Sequence, residues 1–388
     1  MKLMWFHLMP YTELPDDFRE KNPSVWVDIH SSLFDPRRAH LMYNDFMDEL
    51  EFAAECGFDA VCVNEHHSNG YGLMPSPNLI ASALARRTTE TALCVMGNSL
   101  ALYNPPTRVA EEFAMIDVIS GGRLIAGLVV GGGPEYYSFS MNPTHARAMF
   151  QEGMDLVLRA WTEPGPFEHY GEFWKLKYVN PWPRPIQKPH PTIWIPGAGS
   201  KETIELVAAR RFGYMGIPYF HIDFFQRNFD MFREAAQKSG YEASPYQLGW
   251  LCPIYVAETD EQAWADYEKH LFYFAKQLLK GLVVLPPGYT SIRSIAGIHG
   301  ALKQFLINIE NRQQIEAGAY AIVGSPATVK QKLLEYGKRL GVGNLLGLFQ
   351  LGTLPGDLTQ KSMRLFARDV MPALQAVKHA PLPEPAQA

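Results

Sequence analysis

Asn64, Glu65, His66 and His67 stand directly after the apolar run Ala60-Val61-Cys62-Val63, placing a carboxylate and two imidazoles at the exit of what reads as a buried strand. Histidine titrates near neutral pH, so a small environmental push lets it give or take a proton. Successive side chains on an extended chain point to opposite sides, which sends Asn64 and His66 one way and Glu65 and His67 the other. The two histidines are therefore expected to have different jobs. Three readings of the cluster stand at this level. One is acid–base chemistry by an imidazole. A second is a metal site using Glu65 with His66 or His67, but adjacent residues cannot all chelate one ion, and no HExxH or spaced His/Asp set accompanies them. The third is a structural carboxylate bonded to backbone or to an imidazole, with neither histidine reactive.

Two glycine-rich clusters also follow apolar runs: Gly131-Gly132-Gly133 after Leu124 to Val130, and Gly197-Ala198-Gly199-Ser200 after Thr192-Ile193-Trp194-Ile195. The second opens a predicted helix running to about Arg211. Free N–H groups and a hydroxyl at a helix N-terminus favour a phosphate; a plain tight turn is the alternative. No GxGxxG follows the first strand and no GxxxxGKS/T occurs, so neither a Rossmann site nor a P-loop is supported.

These clusters must be positioned by a regular scaffold. Strand signals fall at Lys2 to Leu8, Ala60 to Asn64, Ala92 to Gly97, Leu124 to Val130, Thr192 to Ile195, Tyr214 to Ile217, within Leu248 to Ala257, and at Asn344 to Leu351. Helical signals lie between them, at about Arg38 to Cys56, Pro77 to Arg87, Thr107 to Ile119, Thr144 to Trp161, Lys201 to Arg211, Asp223 to Lys238 and Leu358 to Val377. Eight strand signals alternating with helical sequence predict an α/β fold, a (β/α)8 TIM barrel whose active site sits at the C-terminal strand ends. One barrel domain is expected over residues 1–379, with insertions at about 167–191 and 260–314 and a disordered tail at 380–388. The first insertion is aromatic and proline-rich with hairpin-like alternation; the second carries Leu285-Pro286-Pro287-Gly288-Tyr289. That segment, with Trp174 and Trp182, reads either as the lining of an apolar substrate pocket or as satellite core.

The chain has 388 residues, of which 47% are hydrophobic and 19% charged, and its formal net charge is -5. That balance describes a soluble globular protein without an electrostatic footprint for nucleic acid. Cys56, Cys62, Cys94 and Cys252 are widely spaced and lack a CxxC, so they read as small buried hydrophobes. No apolar run approaches the ~20 residues of a membrane span and no signal peptide is evident, which predicts a cytoplasmic protein.

Four segments together resemble the bacterial luciferase-like flavin-dependent monooxygenases, over most of the chain. They are Gly57-Phe58-Asp59-Ala60 leading to Glu65-His66-His67, then Pro106-Thr107-Arg108-Val109-Ala110-Glu111-Glu112, Ser120-Gly121-Gly122-Arg123 before Leu124, and Leu365-Phe366-Ala367-Arg368-Asp369-Val370-Met371-Pro372. The resemblance implies a barrel that binds reduced flavin mononucleotide (FMN) at the strand ends, forms a flavin C4a-hydroperoxide with dioxygen, and takes its reduced flavin from a separate reductase. It also implies a homodimer acting on a small apolar organic substrate.

By that resemblance His66 is the acid/base near the flavin, with Glu65 and His67 holding it in place. Arg147 contacts the flavin phosphate, for which a guanidinium suits bidentate binding, and the Gly197, Gly199 and Ser200 loop supplies the other phosphate contacts. Asn98 is placed at the isoalloxazine edge or as a structural strand-end amide, and Tyr137, like Tyr136, as a cofactor hydroxyl or as packing at the barrel mouth. Arg108, Glu111 and Glu112 are assigned to ion pairing between helices or to dimer contacts. Val129 and Val130 replace the flavin-proximal cysteine and a phosphate-contacting arginine of luciferase, which argues against light emission. Two other activities remain open: F420-dependent hydride transfer within the same superfamily, and a flavin-binding barrel without catalysis.

Overall fold

The computed structural model describes residues 1–281, 296, 300, 303–306, 309 and 311–383. Strands β1 (Lys2–Phe6), β2 (Ala60–Val63), β3 (Ala92–Ser99) and β4 (Leu124–Val129) come first. A separate antiparallel hairpin of β5 (Phe167–Tyr170) and β6 (Lys175–Val179) follows. Then come β7 (Thr192–Gly197), β8 (Gly213–Gly216), β9 (Leu248–Val256), β10 (Ile322–Gly324) and β11 (Asn344–Leu348). The main sheet runs β9-β11-β1-β2-β3-β4-β7-β8 and returns from β8 to β9, so these eight parallel strands close into the expected barrel.

Burial on both faces explains the apolar runs: every residue of β2, β9 and β11 is buried, as parallel strands under helices must be. The helices Pro36–Glu55 and Thr107–Ser120 stop at left-handed glycines, Gly57 (φ 85) and Gly121 (φ 73), a conformation a side chain would disfavour.

Among the elements outside the sequence expectation are the strand β10 and the helix Pro326–Leu340. β10 pairs with the outer end of β9, Ile322 opposite Ile254, beyond the stretch of β9 that pairs with β11. The helix Pro326–Leu340 then crosses back to β11. A three-residue strand carries too little periodicity to be read from sequence.

Gly97 and Gly127 let β3 and β4 approach unusually closely. A Cβ on Gly127 would lie 2.0 Å from the Val95 carbonyl oxygen, and one on Gly97 would lie 2.3 Å from the Gly127 carbonyl carbon. The β3–β4 register shifts between Val95 and Asn98 at this point, and such an irregularity re-aims the side chains that follow it.

The hairpin is held to the helix Ala146–Thr162 by one carboxylate. Glu152 accepts the N–H groups of Glu172 (2.9 Å), Phe173 (3.0 Å) and Trp174 (3.1 Å) and pairs with His169 Nε2 at 3.1 Å. Burial pushes its pKa up, but these donors outweigh burial and hold it below the usual carboxylate value. Trp174 is buried, whereas Trp182 is 83% exposed, so Trp182 lines no interior pocket. A cleft of about 390 Å³ bounded by Gly165, Asn180, Trp182 and Arg184 contains none of the strand-end residues. The segment Leu285 to Tyr289 lies outside the described residues.

The polar excursion after β1 folds back over the barrel mouth. Val25 N–H donates to the Lys280 carbonyl (3.1 Å), Gly70 N–H donates to the Val25 carbonyl (3.2 Å), and Trp26 is buried beneath. Among the described residues no helix is long and apolar enough to cross a membrane.

Candidate functional site

The ends of β2, β3, β4 and β7 bring the three polar clusters to one face. Glu65 is the hub of the first. Its carboxylate accepts Asn98 Nδ2 (2.8 Å), Tyr103 Oη (2.7 Å) and Ser99 N–H (3.4 Å), and pairs with His67 Nε2 at 3.0 Å. Asn98 Oδ1 in turn accepts from Asn78 Nδ2 (3.0 Å), which also donates to Glu112 (2.7 Å), and Arg108 donates to the same Glu112 at 2.6 Å. Burial, followed by the nearby Glu65 charge, raises Tyr103 above the usual phenol value and keeps it a donor.

His66 points the other way, as alternation requires, and Glu65 does not touch it. Its partner is Glu135, Nδ1 to Oε1 at 3.1 Å. Glu135 is the third residue of the short helix Gly133–Ser138, and its other oxygen accepts Gly132 N–H at 3.0 Å. Burial pushes the Glu135 pKa up, yet the His66 hydrogen bond and charge, with help from its own backbone and His67, outweigh it, so the net displacement is below the usual carboxylate value. Glu135 therefore stays ionised beside the imidazole. Trp26 and Tyr71 meet the His66 ring edge-on, with centroids 5.2 and 4.9 Å away. The expectation that Glu65 and His67 hold His66 is thus corrected: they hold each other, and Glu135 holds His66. Sequence reasoning missed Glu135, although Gly132 followed three residues later by a glutamate is a helix-start signal that could have drawn attention to it.

His7, at the end of β1, is another imidazole at this end of the barrel. It is fully buried between Trp5 and Phe46. Its Nδ1 accepts Met9 N–H at 2.8 Å, so Nε2 carries the proton toward Glu49 at 3.1 Å. Burial pulls its pKa down to about 3, which keeps it neutral and structural.

Arg147, Ser200 and Thr203 form the third cluster. Arg147 Nη1 donates to Thr203 Oγ1 (3.2 Å) and Nη2 to Ser200 Oγ (3.3 Å). Ser200 caps the helix Lys201–Ala209, and Gly199 (φ 85) turns the chain into it. Tyr214 Oη fixes the loop, accepting Gly199 N–H at 3.0 Å and donating to the Gly197 carbonyl at 3.1 Å. Buried Asn228 lies against Gly199, and its Nδ2 has no acceptor among the described residues. The Glu202 carboxylate accepts from Ser200 Oγ at 2.8 Å, the role an incoming anion would take. A guanidinium, two hydroxyls, a helix N-terminus and an unpaired amide make a donor set that fits a phosphate.

The remaining expected residues lie elsewhere. Tyr137 is half exposed and donates to Asp28 at 3.1 Å, clasping the N-terminal excursion rather than joining Arg147. Tyr136 is buried and donates to the Val130 carbonyl. Asn98 is fully buried with both amide ends engaged by protein, the structural-amide alternative. Arg108 and Glu112 pair within one helix, and it is Glu112 that reaches the neighbouring helix through Asn78. Among the described residues no group of three or more His, Cys, Asp or Glu is arranged to hold a metal ion.

Comparison with known proteins bears on the fold and the family. The family profile of luciferase-like monooxygenases matches residues 30–343. The oxygenase component of flavin-dependent trigonelline monooxygenase from Acinetobacter baylyi is 31% identical over 161 residues, 40% of this chain and 43% of that protein, so the match spans less than half of that relative. Among solved structures, monooxygenase RslO1 from Streptomyces bottropensis superposes with a TM-score of 0.72 at 24% identity, covering 96% of this chain and 99% of that one. The oxygenating constituent of 3,6-diketocamphane monooxygenase from Pseudomonas putida, solved with FMN, gives 0.71 at 19% identity over 96% and 98% of the two chains. These likenesses establish the barrel, and the profile match over most of the sequence establishes that this chain belongs to the luciferase-like monooxygenase family.

Proposed function

We propose that the chain is the oxygenase component of a two-component flavin-dependent monooxygenase, taking reduced FMN from a separate reductase and using dioxygen to oxidise a small apolar organic substrate. The observation that carries this reading is the pairing of two devices on one barrel face: the ionised Glu135 behind His66, and the phosphate-fitting donors Arg147, Ser200 and Thr203. The trigonelline relative is itself named an oxygenase component, which supports the two-component part.

Bound reduced flavin supplies the electrons that activate dioxygen. The chain's own residues do the rest. Arg147, Ser200 and Thr203 hold the phosphate and so fix the position of the ring system. His66 is oriented through Nδ1 by Glu135, which leaves Nε2 as the atom that holds or moves a proton; no described residue bonds it. With Nδ1 tied to Glu135, the imidazole is held in one orientation, so Nε2 can hold or pass a proton at the reacting centre. Trp26 and Tyr71 cover His66 on the excursion side and exclude water there.

Anaerobic titration with reduced FMN and, separately, with reduced F420, followed by a dioxygen pulse, tests the reading. Saturable micromolar binding of FMN in preference to F420, and oxygen uptake by the complex, are expected. Absence of FMN binding at micromolar concentrations sinks it.

A further inference from the structure

Two aromatic neighbours of His66, Trp26 and Tyr71, carry buried hydrogen-bond donors. Trp26 is 3% exposed, and its indole Nε1–H is buried without an acceptor among the described residues. Its ring lies 4.1 Å from that of Tyr71 and 5.2 Å from that of His66. Tyr71 and Tyr219 meet hydroxyl to hydroxyl at 2.6 Å, both buried. Two phenols carry two protons, and the bond between them uses one. The second proton remains available to a third atom, because burial raises both groups above the usual phenol value and keeps them protonated. A buried donor left without an acceptor costs about 1–3 kcal/mol. Two such donors lie beside the same imidazole.

We propose that Trp26 Nε1–H and the spare proton of the Tyr71–Tyr219 pair form a two-donor subsite for a carbonyl oxygen on an uncharged, otherwise apolar substrate. This rests on the monooxygenase reading above and adds to it the recognition of the substrate. The acceptor is uncharged because an indole N–H and a phenol O–H bring no charge to offset that of a buried anion. The body is apolar because Phe274 packs on both tyrosine rings, 5.2 Å from Tyr219 and 6.1 Å from Tyr71. Trp26 and the tyrosine pair are thus specificity-determining residues, separate from the His66–Glu135 proton device.

Equilibrium dialysis with gas-chromatographic readout tests this on the full chain, with and without FMN. The probes are two isosteric pairs, cyclohexanone with methylenecyclohexane and 2-nonanone with 2-methyl-1-nonene. In each pair only the ketone offers an oxygen acceptor. The ketone is expected to bind about tenfold more tightly than its partner, the size of one or two neutral hydrogen bonds. Trp26→Phe, and separately the Tyr71→Phe/Tyr219→Phe double variant, each shrink that ratio several-fold while leaving the hydrocarbon's binding in place. Because the ratio is taken within one protein, partial misfolding of a variant does not mimic the result. Equal binding within both pairs, no detectable binding of either ketone, or a ratio untouched by both variants overturns the proposal. Loss of FMN binding with the ketone preference intact would instead overturn the cofactor reading alone.

Discussion

Arg147→Ala is the sharpest perturbation of the phosphate cluster. Arg147 offers two guanidinium nitrogens, now resting on Thr203 and Ser200 at 3.2 and 3.3 Å, distances long enough for both to be given up to a stronger acceptor. Two charge-assisted bonds to a phosphate would contribute about 3–6 kcal/mol in a dry site. Arg147 is half-buried, so solvent screening reduces this to about 2 kcal/mol, or about 30-fold in Kd. Riboflavin has the same ring system and lacks the phosphate, so its affinity should change by less than about twofold. Fluorescence titration of both flavins at low and high salt reads the difference, which should shrink as salt rises. Glu202→Gln supplies the opposite arm: with the competing carboxylate removed from Ser200, FMN should bind about threefold tighter. Equal weakening of FMN and riboflavin by Arg147→Ala would show that the arginine merely props the fold, and the cluster would lose its assignment.

Glu135→Gln keeps the shape of the side chain and removes its charge. Turnover is expected to fall about 10–30-fold with FMN affinity unchanged, from loss of about 1.5–2 kcal/mol of charge-assisted bonding to His66; stopped-flow rates within twofold of the native chain would refute the proton device. Glu152→Gln should cost about 2 kcal/mol at pH 7, read by urea unfolding. Because the folded-state pKa of Glu152 lies below the ordinary 4.5, its stabilisation is complete above that value and is lost as pH falls through the folded value. The gap between native and variant should therefore narrow by pH 3.5; an unchanged gap there would contradict the ionic role. Gly127→Ala places a methyl 2.0 Å from a backbone oxygen that cannot swing aside, so destabilisation of about 3 kcal/mol or more, or failure to fold, is expected in thermal melts.

The barrel was legible because its strands are buried on both faces and each ends in a glycine or polar cluster, as at Val63-Asn64 or Ile195-Pro196-Gly197. β10 escaped because three residues on the rim of β9 show no period. In the site, alternation separated Glu65 and His67 from His66 correctly, since that rule acts between neighbours. What holds His66 was not legible: Glu135 lies 69 residues away, and only the closure of β2 beside β3 and β4 brings the two together. Arg147 and Ser200 came from family likeness rather than from physics, because an arginine at a helix start looks the same whether or not it faces a loop 53 residues on. Asn98 and Tyr137 show the limit of the same likeness. Position at a strand end does not say whether an amide faces the cavity or its own protein, and here the irregularity in β3 accompanies an Asn98 turned to Glu65.

The array from Glu65 through Asn98 and Asn78 to Glu112 has carboxylates at both ends, and a carboxylate can only accept. Each amide is consequently forced to turn its NH2 toward its anion, Asn98 to Glu65 and Asn78 to Glu112, and Tyr103 must donate as well. The wall behind the histidines therefore has one permitted ordering of its hydrogens. It behaves as a frozen dipole whose ordering is anchored at Glu65: neutralising Glu112, on the outer rim, would weaken the field but leave Asn98 fixed by Glu65 and Asn78 fixed through Asn98 Oδ1.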